Sequence, residues 1–204
     1  MMNTEFLLTS LIVVLVPGTG VVYTISTGLA QRWRASIAAA FGCTLGIVPH
    51  LAASILGLSA ILHMSALVFQ VLKIVGALYL LYLAWGMWRD TGMFKIDQSV
   101  PKNTALQLAL KGILINILNP KLTIFFFAFL PLFVSSEASS PTQQMLALGA
   151  IFMLLTLLIF VLYGILASGV STYLINSPKM IRRVQKSFAL VFAGLAVRLA
   201  MSER

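Results

Sequence analysis

Long apolar runs separated by short polar links dominate the chain, and this pattern predicts six membrane-spanning helices. A helix needs about 20 mainly apolar residues to cross a bilayer, and the runs reach that length with few charges. Most of the basic residues fall in the links between the runs. The predicted spans are residues 5–27, 36–62, 66–88, 104–134, 145–170 and 181–201.

The fourth span contains the sequence Asn119-Pro120-Lys121 near its middle. Pro120 has no N–H and its ring clashes with the carbonyl four residues earlier, so the helix should break there. Asn119 then stands at the capping position of a second half-helix whose first residue is Pro120. The new N-terminus carries positive partial charge beside Lys121, which favours an anion.

The first span is interrupted in a similar way by Val16-Pro17-Gly18-Thr19-Gly20. A proline and two glycines within five residues predict an unwound turn, with Thr19 as the cap of the helix that follows. Thr104 is likewise predicted to cap the start of the fourth span; the alternative is that this segment is a loop.

The two breaks divide the chain into similar halves, each of three spans and each opening with an interrupted span. An odd number of spans per half predicts an inverted repeat, in which the broken helices meet near the membrane midplane. The alternative is two unrelated proline kinks. The predicted fold is therefore all-α: one transmembrane domain, 1–204, with repeat one at about 1–90 and repeat two at about 104–204.

The basic residues also predict the orientation of the chain. Lys and Arg concentrate in the odd-numbered links and are absent around the second and fourth links, so the odd-numbered links are predicted to be cytoplasmic. These links are 28–35, 89–103 and 171–180, and both termini are then predicted to lie outside.

Composition excludes several classes of function. The chain is 60% hydrophobic and 9% charged, with mean hydropathy +1.00, which is far from a soluble domain. The net charge of +9 lies in short links rather than on one amphipathic face, so no nucleic-acid partner is predicted. The single cysteine, Cys43, offers no metal pair, and no nucleotide-binding loop or hydrolytic motif occurs. We predict no enzyme activity, no metal and no cofactor.

Carboxylates are missing from the middle of the predicted spans, so proton coupling needs another titratable group. The candidates are His50, Lys73 and Lys121, of which Lys121 is favoured. His50 has the alternative of a packed neutral ring, and Lys73 can either face the cavity or extend to the outer surface.

Four segments occur in an order that resembles the lysine-exporter (LysE) superfamily, and within it the homoserine/threonine-type (RhtB) efflux permeases. They are Pro17-Gly18, Gly28-Leu29-Ala30-Gln31-Arg32, Lys73-Ile74-Val75-Gly76-Ala77-Leu78-Tyr79-Leu80 and Asn119-Pro120-Lys121. The resemblance implies a bacterial inner-membrane exporter of amino acids or close derivatives, with six spans and coupling to the proton-motive force. One departure is Thr19, where the family's first motif usually has a second proline.

The predicted function is secondary-active export of neutral amino acids such as threonine, homoserine or leucine, or their derivatives. A passive channel and a non-transporting membrane scaffold are the alternatives. The predicted partners are the amino acid, protons and the lipid bilayer, and a homodimer is left open. Half-helix N-termini near Thr19 and Pro120 should hold the carboxylate, while carbonyls near Val16 and Leu118 should hold the amine. The predicted substrate-binding residues are Pro17, Gly18, Thr19, Asn119, Pro120 and Lys121.

Overall fold

The structure, a computed structural model, describes residues 4–57, 66–89, 103–134 and 140–174, with the short runs 186–187, 189–190, 193–194, 196–197 and 199–201. Its regular elements in these ranges are all helical, so the all-α prediction is confirmed. They are α1 (Thr4–Leu15), α2 (Thr19–Leu45), α3 (Val48–Leu56), α4 (Ala66–Arg89), α5 (Ala105–Ile117), α6 (Pro120–Ile124) and α7 (Pro141–Leu174). A π-helical turn at Phe125–Phe129 and a 3-10 turn at Leu130–Phe133 continue α6.

Two helical stretches are long and apolar enough to cross a membrane, Thr19–Leu56 and Pro141–Gly169. A third candidate is the pair Ala105–Ile117 and Pro120–Phe133, which are bent by 52° at their junction. The chain is therefore a membrane protein. Most of the predicted cytoplasmic loop 89–103 and about half of the predicted sixth span, 181–201, lie outside the described residues.

The chain reverses direction within α2, at Arg32. This residue has φ 69 and ψ 178, a conformation that costs about 1 to 3 kcal/mol for a residue with a side chain. Ser36 Oγ consequently donates a 2.9 Å hydrogen bond to the carbonyl of Thr24, twelve residues earlier. In a straight helix these residues would lie roughly 18 Å apart. The stretch is thus two antiparallel arms, 19–31 and 33–45.

The reversal lies inside the predicted first link, 28–35. The segment is helical on both sides of a turn at a single residue, Arg32. Arg32, Trp33 and Arg34 are exposed. Long polar side chains can extend toward water from within a helix, so a polar segment does not require the helix to stop.

Both predicted helix breaks are confirmed, as are two of the three predicted caps. Asn119 Oδ1 accepts a 3.1 Å hydrogen bond from the N–H of Lys121, with Pro120 as the first helical residue. Thr104 and Gln107 form a reciprocal capping box at the start of α5. The Thr19 cap is wrong, because Gly18 is the N-cap of α2 and no side chain caps it.

The arms of α2 pack against α5 and α7, and small residues permit the close approach. A Cβ atom added at Gly112 would lie 2.8 Å from the carbonyl oxygen of Ala39, and one at Gly28 would lie 2.7 Å from that of Gly164. Aromatic rings fill the space on the other side of α6, where Phe125 stacks on Phe152 with ring centroids 4.3 Å apart. The two helix breaks meet between these packed layers.

Candidate functional site

Each proline break frees one backbone carbonyl inside the helix bundle. Pro17 cannot donate to the carbonyl of Val13, and Pro120 cannot donate to that of Asn116, since proline has no N–H. An unpaired buried carbonyl is costly, so each should find another donor. Each carbonyl accepts from a side chain of the opposite half of the chain, Lys121 for Val13 and His50 for Asn116, and the Asn116 carbonyl also accepts from the N–H of Asn119.

Lys121 satisfies the end of α1. Its Nζ donates to the carbonyl oxygens of Val13 and Val16, at 3.0 Å each. The side chain is 7% exposed. The structure therefore places the ammonium where the sequence analysis expected the amine of the substrate. A lysine at this position also complements the negative end of the α1 dipole.

His50 Nε2 lies 2.9 Å from the carbonyl oxygen of Asn116, which also accepts a 3.1 Å hydrogen bond from the N–H of Asn119. Because a carbonyl oxygen can only accept a hydrogen bond, Nε2 must carry a proton. Thr123 Oγ1 lies 3.4 Å from Nδ1, and a hydroxyl can either donate or accept. The ring is therefore satisfied whether or not Nδ1 is protonated.

Asn116 is a buried polar residue of the cavity lining that the sequence analysis did not name. It is 2% exposed, and its Nδ2 donates at 2.7 Å to the carbonyl of Cys43. Its Oδ1 accepts at 3.2 Å from Asn119 Nδ2. A continuous chain of hydrogen bonds thus joins the second arm of α2 to the break before α6. The available signal was a second asparagine, one helical turn before Asn119, inside an apolar run.

A small cavity lies between the two breaks. The space open to the centre of a water molecule is about 10 Å³, which is enough for roughly one water. An amino acid is several times larger, so it does not fit this space in the conformation described. The lining residues are Val13, Val14, Gly20, Val21, Asn116, Asn119, Lys121, Leu122, Phe152, Thr156 and Phe160.

Only some of the predicted site residues line the cavity. Asn119 and Lys121 line the cavity, whereas Thr19 and Pro120 are exposed and Pro17 is buried without lining it. His50 reaches the site through the Asn116 carbonyl, and the side chain of Lys73 lies outside the described part.

Gly18 contributes space rather than backbone freedom. Its φ of −120 and ψ of −175 are extended values that other residues also adopt. A Cβ atom there would lie 3.0 Å from Lys121 Nζ, so a side chain at this position would press on the ammonium.

The two half-helix N-termini also differ. At α6 the N–H of Lys121 bonds to Asn119 Oδ1, and the N–H of Leu122 bonds to the Asn119 carbonyl at 3.1 Å. At α2 no side chain caps the first turn, and Gly20 and Val21 line the cavity. The N-terminus that presents unsatisfied donors at the cavity is therefore that of α2.

Comparison with known proteins identifies the family of the chain. The sequence model of the LysE type translocators matches residues 11–203. The chain belongs to the LysE type translocator family. Such proteins transport their cargo unchanged, so this chain is a transport protein and not an enzyme. Within the described ranges, no three His, Cys, Asp or Glu residues are grouped to hold a metal.

Relatives of this LysE translocator match over nearly their whole length. An uncharacterized membrane protein of Vibrio cholerae is 32% identical, over 97% of this chain and 96% of its own. The homoserine/homoserine lactone efflux protein of Salmonella typhimurium is 28% identical, over 96% and 94%. The leucine efflux protein of Enterobacter sp. is 24% identical, over 92% and 90%. No solved structure matches the chain.

Proposed function

We propose that this LysE translocator is a secondary-active exporter of neutral amino acids or close derivatives. Relatives named for efflux of homoserine, homoserine lactone and leucine support this class of cargo. The observation that carries the proposal is the meeting of two opposite helix ends at one cavity. The carbonyls at the end of α1 offer negative partial charge, and the first turn of α2 offers positive partial charge. An α-amino acid carries the complementary pair of charges on one carbon atom.

The carboxylate of the substrate would bind at the first turn of α2, where the N–H groups of Thr19, Gly20 and Val21 precede the first intrahelical bonds. The predicted second contact at Pro120 is not retained, because Asn119 already accepts from the N–H groups there. Asn119 and Asn116 would then orient the substrate with their amide groups.

Neutral side chains are proposed because no carboxylate lines the cavity in the described part of the chain. A second cationic group on the substrate would be unpaired there, at a cost of at least about 2.5 to 3.5 kcal/mol. Phe152, Phe160 and Leu122 provide apolar lining instead. Threonine, homoserine and leucine fit these requirements better than lysine or arginine.

Proton coupling is proposed to use a titratable group at the helix breaks, with Lys121 favoured. His50 is the second candidate, since its ring contacts the carbonyl of Asn116 at the second break. Lys73 stays a prediction from the sequence. The bilayer is the surrounding partner, and a homodimer stays an open prediction.

The proposed architecture is one domain, 1–204, of six spans in two inverted repeats in the bacterial inner membrane. The reciprocal breaks support it. The carbonyl freed by Pro17 accepts from Lys121 of the second half, and the one freed by Pro120 accepts from His50 of the first half as well as from the N–H of Asn119.

Basic side chains over aromatic rings support the proposed orientation, since Lys and Arg are concentrated in cytoplasmic links and Trp and Tyr are enriched at membrane surfaces. The pairs are Arg34 with Trp33, Arg89 with Trp85, Lys111 with Tyr23 and Lys186 with Trp88.

Single cysteines at Arg34, Lys95 and Lys179 in a Cys43→Ser background test the orientation. We expect them to resist an impermeant thiol reagent in intact cells and to react after permeabilisation, because they are proposed to lie in the cytoplasm. A cysteine at Ser139, in the proposed outer link, is the matched positive control. Labelling of position 95 in intact cells would contradict the topology.

Counterflow in proteoliposomes tests the function. Liposomes preloaded with unlabelled threonine, homoserine or leucine should take up the labelled compound transiently above equilibrium, because a carrier exchanges substrate across the membrane. Lysine should produce little counterflow. A passive channel would give equilibration without trans-stimulation. Preferred exchange of lysine would contradict the neutral-substrate proposal.

A further inference from the structure

The ammonium of Lys121 has unusual surroundings for a buried cation. In the part of the chain that the structure describes, its polar partners are the carbonyls of Val13 and Val16, and no carboxylate is among them. An ammonium has three N–H donors, so these two bonds leave one donor beside the cavity. The carbonyls, and not a paired charge, hold the group in place.

The same two carbonyls match the ammonium of an amino acid. Lysine ends in a primary ammonium, and an α-amino acid carries another, with the same charge and the same three donors. Atoms that bind one will also bind the other. The remaining space is about 10 Å³, so a substrate ammonium can reach the carbonyls only after the lysine side chain leaves them.

We propose that Lys121 occupies the substrate's amine subsite in the empty carrier and is displaced by the substrate ammonium. This inference rests on the proposed export of amino acids and assigns that subsite to the carbonyl oxygens of Val13 and Val16.

There is a physical reason for such an occupant. A carrier that returns empty would otherwise expose two unpaired carbonyls inside the membrane, which is costly. Lys121 keeps them bonded. Competition between Lys121 and the substrate ammonium for these carbonyls also weakens substrate binding. Weaker binding favours release of the substrate by an exporter. Gly18 leaves room beside the ammonium, since a Cβ atom there would lie 3.2 Å from Lys121 Cε.

Equilibrium binding of labelled threonine to the purified full-length protein tests the proposal, because the proposal predicts whether the affinity rises or falls when Lys121 is replaced. Lys121→Met removes the competitor and keeps an unbranched side chain, so affinity should rise on the order of tenfold. If Lys121 instead attracted the carboxylate, affinity would fall. Lys111→Met is the matched control, because Lys111 is exposed and lies over Tyr23, 5.7 Å from the ring centroid. Its affinity should equal that of the wild type. Unchanged or lower affinity in Lys121→Met overturns the proposal.

Gly18→Ala gives a second variant if Lys121→Met does not fold. The added Cβ atom would lie 3.0 Å from Lys121 Nζ and should shift the ammonium by a few tenths of an ångström. Threonine affinity should then rise by a smaller factor than in Lys121→Met. A decrease in affinity would count against the proposal.

Thermal unfolding with propylammonium separates this inference from the proposed function. The compound should raise the unfolding temperature of Lys121→Ala, whose carbonyls are vacated, and leave the wild type unchanged. Tetramethylammonium has no N–H donors and should have no effect on either protein. Stabilisation by propylammonium without amino-acid binding would show that the vacated carbonyls accept an ammonium but would reject the proposed function. Threonine counterflow without this stabilisation would support the function and reject the subsite.

Discussion

In the Gly42→Val variant, the fraction of protein that folds is expected to fall sharply. Gly42 lies against the backbone of α5, where an added Cβ atom would overlap the carbonyl oxygen and Cα of Ala109. Neither backbone can move without separating the helices. Overpacking commonly costs about 1 to 3 kcal/mol, and a backbone contact should lie at the top of that range or beyond it. Size-exclusion chromatography of membrane extracts should show a monodisperse fraction reduced by at least about tenfold.

Gly86→Val is the matched control. It makes the same substitution inside a helix, but no atom of the described residues lies within 4 Å of a Cβ atom at Gly86. Its monodisperse fraction should match that of the wild type. Equal recovery of the two variants would show that α2 and α5 do not pack as closely as described.

Asn116→Leu is expected to abolish export and to destabilise the protein. Leucine has a similar size but leaves the Cys43 carbonyl and the Asn119 amide without their partner. Each unsatisfied buried group costs about 1 to 3 kcal/mol. Threonine counterflow should fall by at least about tenfold, because Asn119 would no longer be held at the break. Its unfolding temperature should also decrease.

Thr44→Val provides the control for Asn116. Thr44 is also buried, but its hydroxyl donates at 2.9 Å to the Ala40 carbonyl of its own helix and does not link two helices. Valine keeps the side-chain shape, so transport and unfolding temperature should change little. Wild-type counterflow in Asn116→Leu would mean that the hydrogen-bond chain is not required for transport.

The sequence alone predicted the helix breaks and the family, because these follow from local chemistry. Pro17 and Pro120 lack a backbone N–H whatever the tertiary structure. Asn119 caps the helix locally, because its side-chain oxygen accepts from the N–H of Lys121, only two residues later. Thr104 with Gln107 is an equally local pair. The Thr19 cap failed because a glycine one position earlier took the N-cap position.

The partners of the freed carbonyls were decided only by the tertiary structure. Lys121 bonds to a carbonyl 108 residues away, and His50 bonds to one 66 residues away. A hydropathy profile does not show which positions of a membrane span face the helix bundle, because lipid-facing and core-facing positions are both apolar. Asn116 became a candidate only when Cys43 was placed beside it. The sequence by itself determined where the helices break, and the packing of the two halves determined which side chains satisfy the breaks.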